Sequence, residues 1–128
     1  MEETWIYHYG VKGMKWGVRR SLGVKARGAA VYRRLIKTQQ KAVDRLEKKR
    51  ETKGLTDRQQ KNLDRGKKVV AEWTETRNKL IKDLSEKDIK RGQRAIFAYS
   101  SFGAMSGVAM ATSMVRANKQ LEREKNRR

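Results

Sequence analysis

The sequence predicts an all-α protein with an irregular N-terminal peptide, two antiparallel helices and a long third helix, elongated rather than compact. Three observations support this fold class. The chain contains no proline, the residue that most strongly interrupts helices. Apolar residues recur at helical spacing along two long segments. Hydrophobic and charged residues each make up 37% of the chain, so we expect a small core and helices that pack partly against other chains.

Residues 1–23 are predicted to form an irregular docking peptide that is rich in aromatic residues and glycine. Glycine interrupts this segment at four positions, Gly10, Gly13, Gly17 and Gly23. Because glycine has no Cβ atom, it allows sharp turns and lets a peptide lie close to the backbone of a partner. We therefore expect little regular structure in this segment.

Residues 24–84 are predicted to form a basic helical hairpin, whose first helix ends at residue 53. The apolar stripe of this helix consists of Val31, Leu35, Val43 and Leu46, with Tyr32, Ile36 and Ala42 beside it. Gly54 is expected to end the helix in the left-handed conformation, which glycine adopts without strain.

The second helix of the hairpin is predicted over residues 57–84. Thr56 and Gln59 have the spacing of a capping box, which marks the start of a helix. The apolar side consists of Leu63, Val70, Trp73, Leu80, Ile81 and Leu84. Gly66 is expected to weaken this helix by about 1 kcal/mol relative to alanine. The short joint between the helices favours antiparallel pairing, which hides both apolar stripes.

Residues 85–128 are predicted to form one long third helix, which begins at a second capping box made by Ser85 and Asp88. Its segment 95–115 contains no charge over 21 positions, and 12 of these are Ala, Gly, Ser or Thr. A straight helix of that length spans about 30 Å, close to the thickness of a bilayer core. Small residues recur along it and are predicted to form a helix-packing or membrane face, namely Ser100, Gly103, Gly107 and Ala111.

Two interpretations of segment 95–115 stay open. Small residues let helix backbones approach closely, either inside a protein assembly or in lipid. Burial in a protein assembly is favoured, because the segment lacks leucine and the insertion of so many small and polar residues into a bilayer is only marginally favourable.

No group of residues in the sequence has the composition of a catalytic or metal site. His8 is the only histidine, and cysteine is absent, so one chain cannot form a histidine-based metal site or a Ser-His pair. Most acidic residues are spaced as surface partners of nearby lysines and arginines. The sequence therefore predicts a protein that is not an enzyme, with no catalytic residue, no metal and no cofactor.

The N-terminal peptide has the composition of a binding segment. Its predicted docking residues are Trp5, Tyr7, His8, Tyr9, Gly10, Lys12, Gly13, Lys15, Trp16, Gly17, Arg19 and Arg20. Aromatic side chains are typical anchors in a protein groove, and lysines steer toward an acidic rim. The same mixture also stacks on bases and binds phosphates. The net charge of +19 would attract nucleic acid, anionic lipid and acidic protein surfaces alike.

Seven defined positions within residues 8–17 form a motif, His8-x-Gly10-x-Lys12-Gly13-x-Lys15-Trp16-Gly17. The motif resembles a short element near one end of many virion proteins of tailed bacteriophages, which are otherwise diverse minor head, cargo and structural proteins. The resemblance covers about 14 of the 128 residues.

The resemblance implies a small structural or internal cargo protein of the virion, recruited into the phage head by its N-terminal peptide. Its partner would be a head or portal-region protein, with the chain oligomeric or bound in an assembly, and it could leave the particle with the genome. Two alternatives stay open. One is a DNA-associated head protein that binds packaged DNA non-specifically, and the other is a membrane-active phage protein that uses residues 95–115 at the host membrane.

Overall fold

The computed structural model describes residues 16–100 and 104–128 of the chain. These residues form four helices, α1 (Trp16–Lys53), α2 (Asp57–Ile81), α3 (Glu86–Ser100) and α4 (Ala104–Asn126), and no strand occurs among them. The all-α class predicted from the sequence is therefore confirmed.

The chain divides into two compact units. Tyr32–Lys79 form the first, which we call the hairpin unit. Met1–Val31 and Leu80–Arg128 form the second, the terminal unit. In its described part, the terminal unit combines the first half of α1, the end of α2, and the helices α3 and α4.

Helix α1 begins earlier than the sequence predicts. Residues 16–23, predicted as part of the irregular peptide, belong to α1, so that Gly17 and Gly23 lie inside a helix. A glycine in a helix costs about 1 kcal/mol relative to alanine. Tertiary packing outweighs this cost, because nearly every residue of the following stretch 26–31 is buried and packing of a buried face supplies most helical stability. The prediction for residues 1–15 lies outside the described residues.

The joint between α1 and α2 has the geometry that the sequence predicts. Gly54 has a φ angle of 74°, the left-handed conformation expected of a residue that ends a helix. The N–H of Gln59 donates to Thr56 Oγ1 at 3.3 Å, and the N–H of Thr56 donates to Gln59 Oε1 at 3.2 Å. Each residue thus caps the other, and the predicted capping box is confirmed.

Two antiparallel helix segments make up the hairpin unit. A Cβ atom built on Gly66 would lie 3.0 Å from Val43 Cγ2, so the helices approach closely there. Gly66 and Val43 lie at nearly equal distances along the chain from Gly54, which means that the chain reverses at the joint. Leu63 and Val43 are buried in this unit. Gly66, expected only to weaken the helix, is therefore a point of close helix packing.

The apolar stripes predicted for the two helices are confirmed at most positions. Val31, Tyr32, Val43, Leu63 and Leu80 are buried. Leu35, Ile36, Leu46, Val70, Trp73, Ile81 and Leu84 are half-buried, and Ala42 is exposed. The exposure of Ala42 is the one departure from these stripes.

Helix α2 ends at Ile81 rather than at Leu84, and α3 follows after a short turn. The N–H of Leu84 donates to the carbonyl of Ile81 at 3.1 Å, which closes this turn. The N–H of Asp88 then donates to Ser85 Oγ at 3.2 Å, and the Ser85 hydroxyl donates to Asp88 Oδ2 at 2.7 Å. The predicted cap at the start of the third helix is confirmed.

The prediction of one long third helix is wrong, because α3 and α4 pack side by side on α1. Gly92 of α3 lies against Ala26, and Ala117 of α4 lies against Gly28 on the same part of α1. In a straight helix Gly92 and Ala117 would be about 38 Å apart. The chain therefore reverses between α3 and α4, and the small residues at these contacts let both helices lie close to α1. Residues 101–103 lie outside the described residues.

The uncharged segment 95–115 is consequently divided between α3 and α4. Among the helices of the described residues, none is both long and apolar enough to span a bilayer.

Candidate functional site

The predicted docking peptide lies mostly outside the residues that the structure describes. Trp5 through Lys15 belong to the part that is not described, and Trp16 and Gly17 form the start of α1. Arg19 and Arg20 follow in the same helix with exposed side chains. The end of the predicted docking peptide is therefore continuous with the first helix of the terminal unit.

The predicted small-residue face is not a contact within the described chain. Gly107 and Ala111 are exposed, and no described atom lies within 4 Å of a Cβ built on Gly107. The Ser100 hydroxyl donates to the carbonyl of Phe97 at 2.6 Å, and Gly103 lies outside the described residues. Packing of this face against another chain stays a prediction.

Close helix packing occurs instead at glycines that the sequence analysis did not select. A Cβ atom on Gly92 would overlap the carbonyl group of Ala26, and one on Gly28 would overlap the Cβ of Ala117. The signal in the sequence is the run of small residues at positions 28–30, which holds one glycine and two alanines. Small residues are typical of sites where helix backbones approach, so this run indicates the contact that α1 makes.

Lys25 is a buried cation at the centre of the terminal unit, with only 3% of its side chain exposed. Its Nζ lies 3.4 Å from Asp83 Oδ2 and 3.0 Å from Glu124 Oε1. Gln120 Nε2 donates to the same Glu124 oxygen at 3.1 Å. A buried ammonium group needs such partners, because an unpaired charge inside a protein is very unfavourable. Lys25 thereby links α1 to α4 and to the turn after α2.

Pairing with Lys25 changes the pKa of the Glu124 carboxyl group. Burial raises the pKa of Glu124, whereas hydrogen bonds from Gln120 and Lys25 and attraction to the Lys25 charge lower it. The lowering effects together are larger, so the pKa of Glu124 lies below its usual value. The interaction with Lys25 thus stabilises the ionised form of the Glu124 carboxyl group.

A solvent-filled cavity of about 720 Å³ lies beside this cluster, between α1 and α4. Five cationic side chains line it in addition to Lys25: Arg20, Arg116, Lys119, Arg123 and Arg127. Its acidic lining residues are Asp83 and Glu124, which are the partners of Lys25. The cavity therefore has a strong excess of positive charge.

A second cavity, of about 300 Å³, adjoins the first along α4. Val24 and Arg116 line both cavities, so the two cavities are neighbours. The second cavity adds Arg27 from α1 and the half-buried ring of Tyr99 from α3. We call the two cavities together the cationic groove.

Apart from Lys25, the cations of the larger cavity of the groove form no ion pair with carboxylates of the described residues. Elsewhere, ion pairs tie Lys67 to Glu47 and Lys79 to Glu75. Among the described residues, no ion pair engages Arg20, Arg116, Lys119, Arg123 or Arg127. The groove therefore presents guanidinium and ammonium groups that are available to an anionic ligand.

The comparisons with known proteins concern the N-terminal segment. A family model described as "Family of unknown function (DUF7211)" matches residues 3–22. This range contains the whole motif from His8 to Gly17. No curated protein and no solved structure matches the chain. The chain is thus similar to that family over the docking peptide and the first residues of α1.

Proposed function

We propose that the protein is a small basic virion protein of a tailed bacteriophage, recruited into the head through residues 5–20. The observation that carries this proposal is the motif between His8 and Gly17, which resembles a terminal element of many such proteins. The range that the family model of unknown function matches, residues 3–22, contains this whole motif and the first residues of α1.

The proposal assigns separate roles to the peptide and the helical body. The body has its own buried residues, caps and ion pairs, all within the described part of the chain. A peptide placed ahead of such a body can bind a partner without disturbing the core. The body is then a structural piece or an internal cargo, which leaves the particle with the genome.

The partner is a protein of the phage head or portal region with an apolar groove and an acidic rim. Trp5, Tyr7, Tyr9 and Trp16 supply aromatic anchors, which contribute most of the binding energy in many interfaces. The lysines and arginines of the same segment supply electrostatic steering. On this proposal the protein is located in the virion and is bound in an assembly.

The experiment that tests recruitment is a fusion of residues 1–23 to an inert fluorescent protein, produced during infection. We expect the label in purified particles to exceed that of the unfused fluorescent protein by at least about tenfold, since aromatic anchors contribute 2 kcal/mol or more. The matched control is the same fusion with Lys12→Ala, which removes one steering charge and should still be packaged. Equal amounts of fused and unfused label in the particles would refute recruitment by the peptide.

A further inference from the structure

We propose that the cationic groove of the terminal unit binds the phosphodiester backbone of nucleic acid without reading its sequence. The groove lies between α1 and α4 and comprises two neighbouring cavities that share Val24 and Arg116 in their linings. It is a surface of the helical body, and Arg20 is the one lining residue that also belongs to the predicted docking residues. The inference goes beyond recruitment, and it holds whether or not the peptide directs the protein into a particle.

The first argument is the arrangement of charge. Arg116, Lys119 and Arg123 follow one another on α4 at spacings of three and four residues, so they project from the same side of that helix. Arg20 and Arg27 face the groove from α1. Cations on both walls of a depression fit a polyanion that lies along it.

The second argument is that cations outnumber the nearby acids. Asp83 and Glu124 are the acidic residues of the groove lining, and both contact the buried ammonium group of Lys25. Lys25 offsets one of these two negative charges, and the five other cations of the larger cavity outweigh the remaining one, so the electrostatic potential of the groove is positive.

The third argument distinguishes a ligand site from the usual stabilisation of a helix end. Basic residues in the last turn of a helix interact favourably with its dipole, and Arg123 lies in the last turn of α4. Arg116 and Lys119 lie earlier in α4, where the dipole effect has faded. Their placement beside the groove, without carboxylate partners among the described residues, is explained by an anionic ligand.

The chemistry of the lining favours nucleic acid over an anionic membrane. Guanidinium groups bind phosphate oxygens through two parallel hydrogen bonds. The ring of Tyr99 at one end of the groove offers a surface on which a base can stack. A flat lipid surface would contact the ridges beside the groove rather than its concave lining.

The test compares two triple variants of the full chain that lose the same charge. The groove variant carries Arg116→Gln, Lys119→Gln and Arg123→Gln. The control carries Lys41→Gln, Arg45→Gln and Lys48→Gln on α1, which are exposed residues at the same three- and four-residue spacings, outside the groove and without ion pairs in the described chain. Circular dichroism first establishes that both variants keep the helical content of the wild type.

Binding to labelled single-stranded and double-stranded DNA of mixed sequence is then measured over a range of salt concentrations. For the groove variant we expect affinity at low salt to fall at least about tenfold and the slope of log K against log salt to decrease by about 2–3, because each phosphate contact contributes about 0.7–0.9 to that slope. For the control we expect a decrease in slope of less than about 1.

Equal losses in the two variants would overturn the inference, because they would show that binding follows total charge and not the groove. A parallel titration with vesicles that contain anionic lipid separates the two sources of phosphate. If the groove variant lost vesicle binding and kept its affinity for DNA, the nucleic-acid assignment would be wrong. If DNA binding is lost as expected while the fused peptide is still packaged, the groove and the docking peptide act independently.

Discussion

At the scale of single residues, buried Lys25 and its two carboxylate partners connect α1, α4 and the turn after α2 within the terminal unit. The sequence does not indicate this cluster, because Lys25 is one of 33 lysines and arginines and its partners lie far from it along the chain. The helix caps, in contrast, can be predicted from the sequence because each depends only on residues close together in the chain. The spacing was enough to predict the caps formed by Thr56 with Gln59 and by Ser85 with Asp88.

Glu124→Gln tests the cluster directly. The substitution keeps the shape of the side chain but removes the charge that faces buried Lys25, while partly exposed Asp83 remains as a partner. We expect a loss of about 1–2 kcal/mol in the free energy of unfolding, below the value for a fully buried pair because Glu124 is partly solvated. Lys25→Met should lower the free energy of unfolding by a smaller amount, since it replaces the buried charge with an apolar chain of similar length. Urea unfolding followed by circular dichroism measures both.

The ion pair between Glu124 and Lys25 also predicts that the stability of the protein depends on pH. Because the pKa of Glu124 is lowered in the folded protein from its usual value of 4.5, its ionised form stabilises the fold above that value. The stabilisation is lost as the pH falls through the folded pKa. The wild type should therefore lose its stability advantage over Glu124→Gln as the pH falls below 4.5 and through the folded pKa. An advantage that persisted at acid pH would show that the ion pair is not its source.

At the scale of helices, the sequence predicted stripes and caps but missed the chain reversal between α3 and α4. Segment 95–115 has no proline and no charge, so its periodicity continues through the reversal without a visible break. The reversal depends on contacts of Gly92 and Ala117 with α1, which are distant in sequence. Among the described residues, close helix approach occurs at Gly28 and Gly92, which were not selected from the sequence, and packing of the face around Gly107 stays a prediction.

Gly92→Ala and Gly107→Ala form a matched pair that tests this packing. At Gly92 the added methyl group would meet the backbone of Ala26, which cannot move aside easily. We expect Gly92→Ala to destabilise the protein by about 1–3 kcal/mol, the usual cost of overpacking. At Gly107 the site is open among the described residues, so Gly107→Ala should be neutral or should stabilise by up to about 1 kcal/mol through helix propensity. Thermal unfolding by circular dichroism compares the two, and equal destabilisation would contradict the packing of α3 on α1.

At the scale of the whole molecule, the two proposed binding surfaces belong to a chain with a net charge of +19. The docking peptide was predicted from sequence because a motif of defined residue types is local. The cationic groove was not, because its lining comes from α1, α3 and α4 and exists only after the chain folds. The net charge predicted attraction to polyanions. The fold shows that several of the cations line one groove.

The central claim is that the docking peptide, and not the charge of the body, brings the protein into the phage particle. The most direct measurement is the number of copies per purified particle, determined by quantitative mass spectrometry, for three versions of the full chain. These are the wild type, Trp16→Ala, and the groove variant with Arg116→Gln, Lys119→Gln and Arg123→Gln. We predict that Trp16→Ala lowers the copy number by at least about tenfold, because it removes an aromatic anchor, and that the groove variant is packaged like the wild type. Normal packaging of Trp16→Ala together with loss of the groove variant would contradict the claim and would show that charge drives packaging.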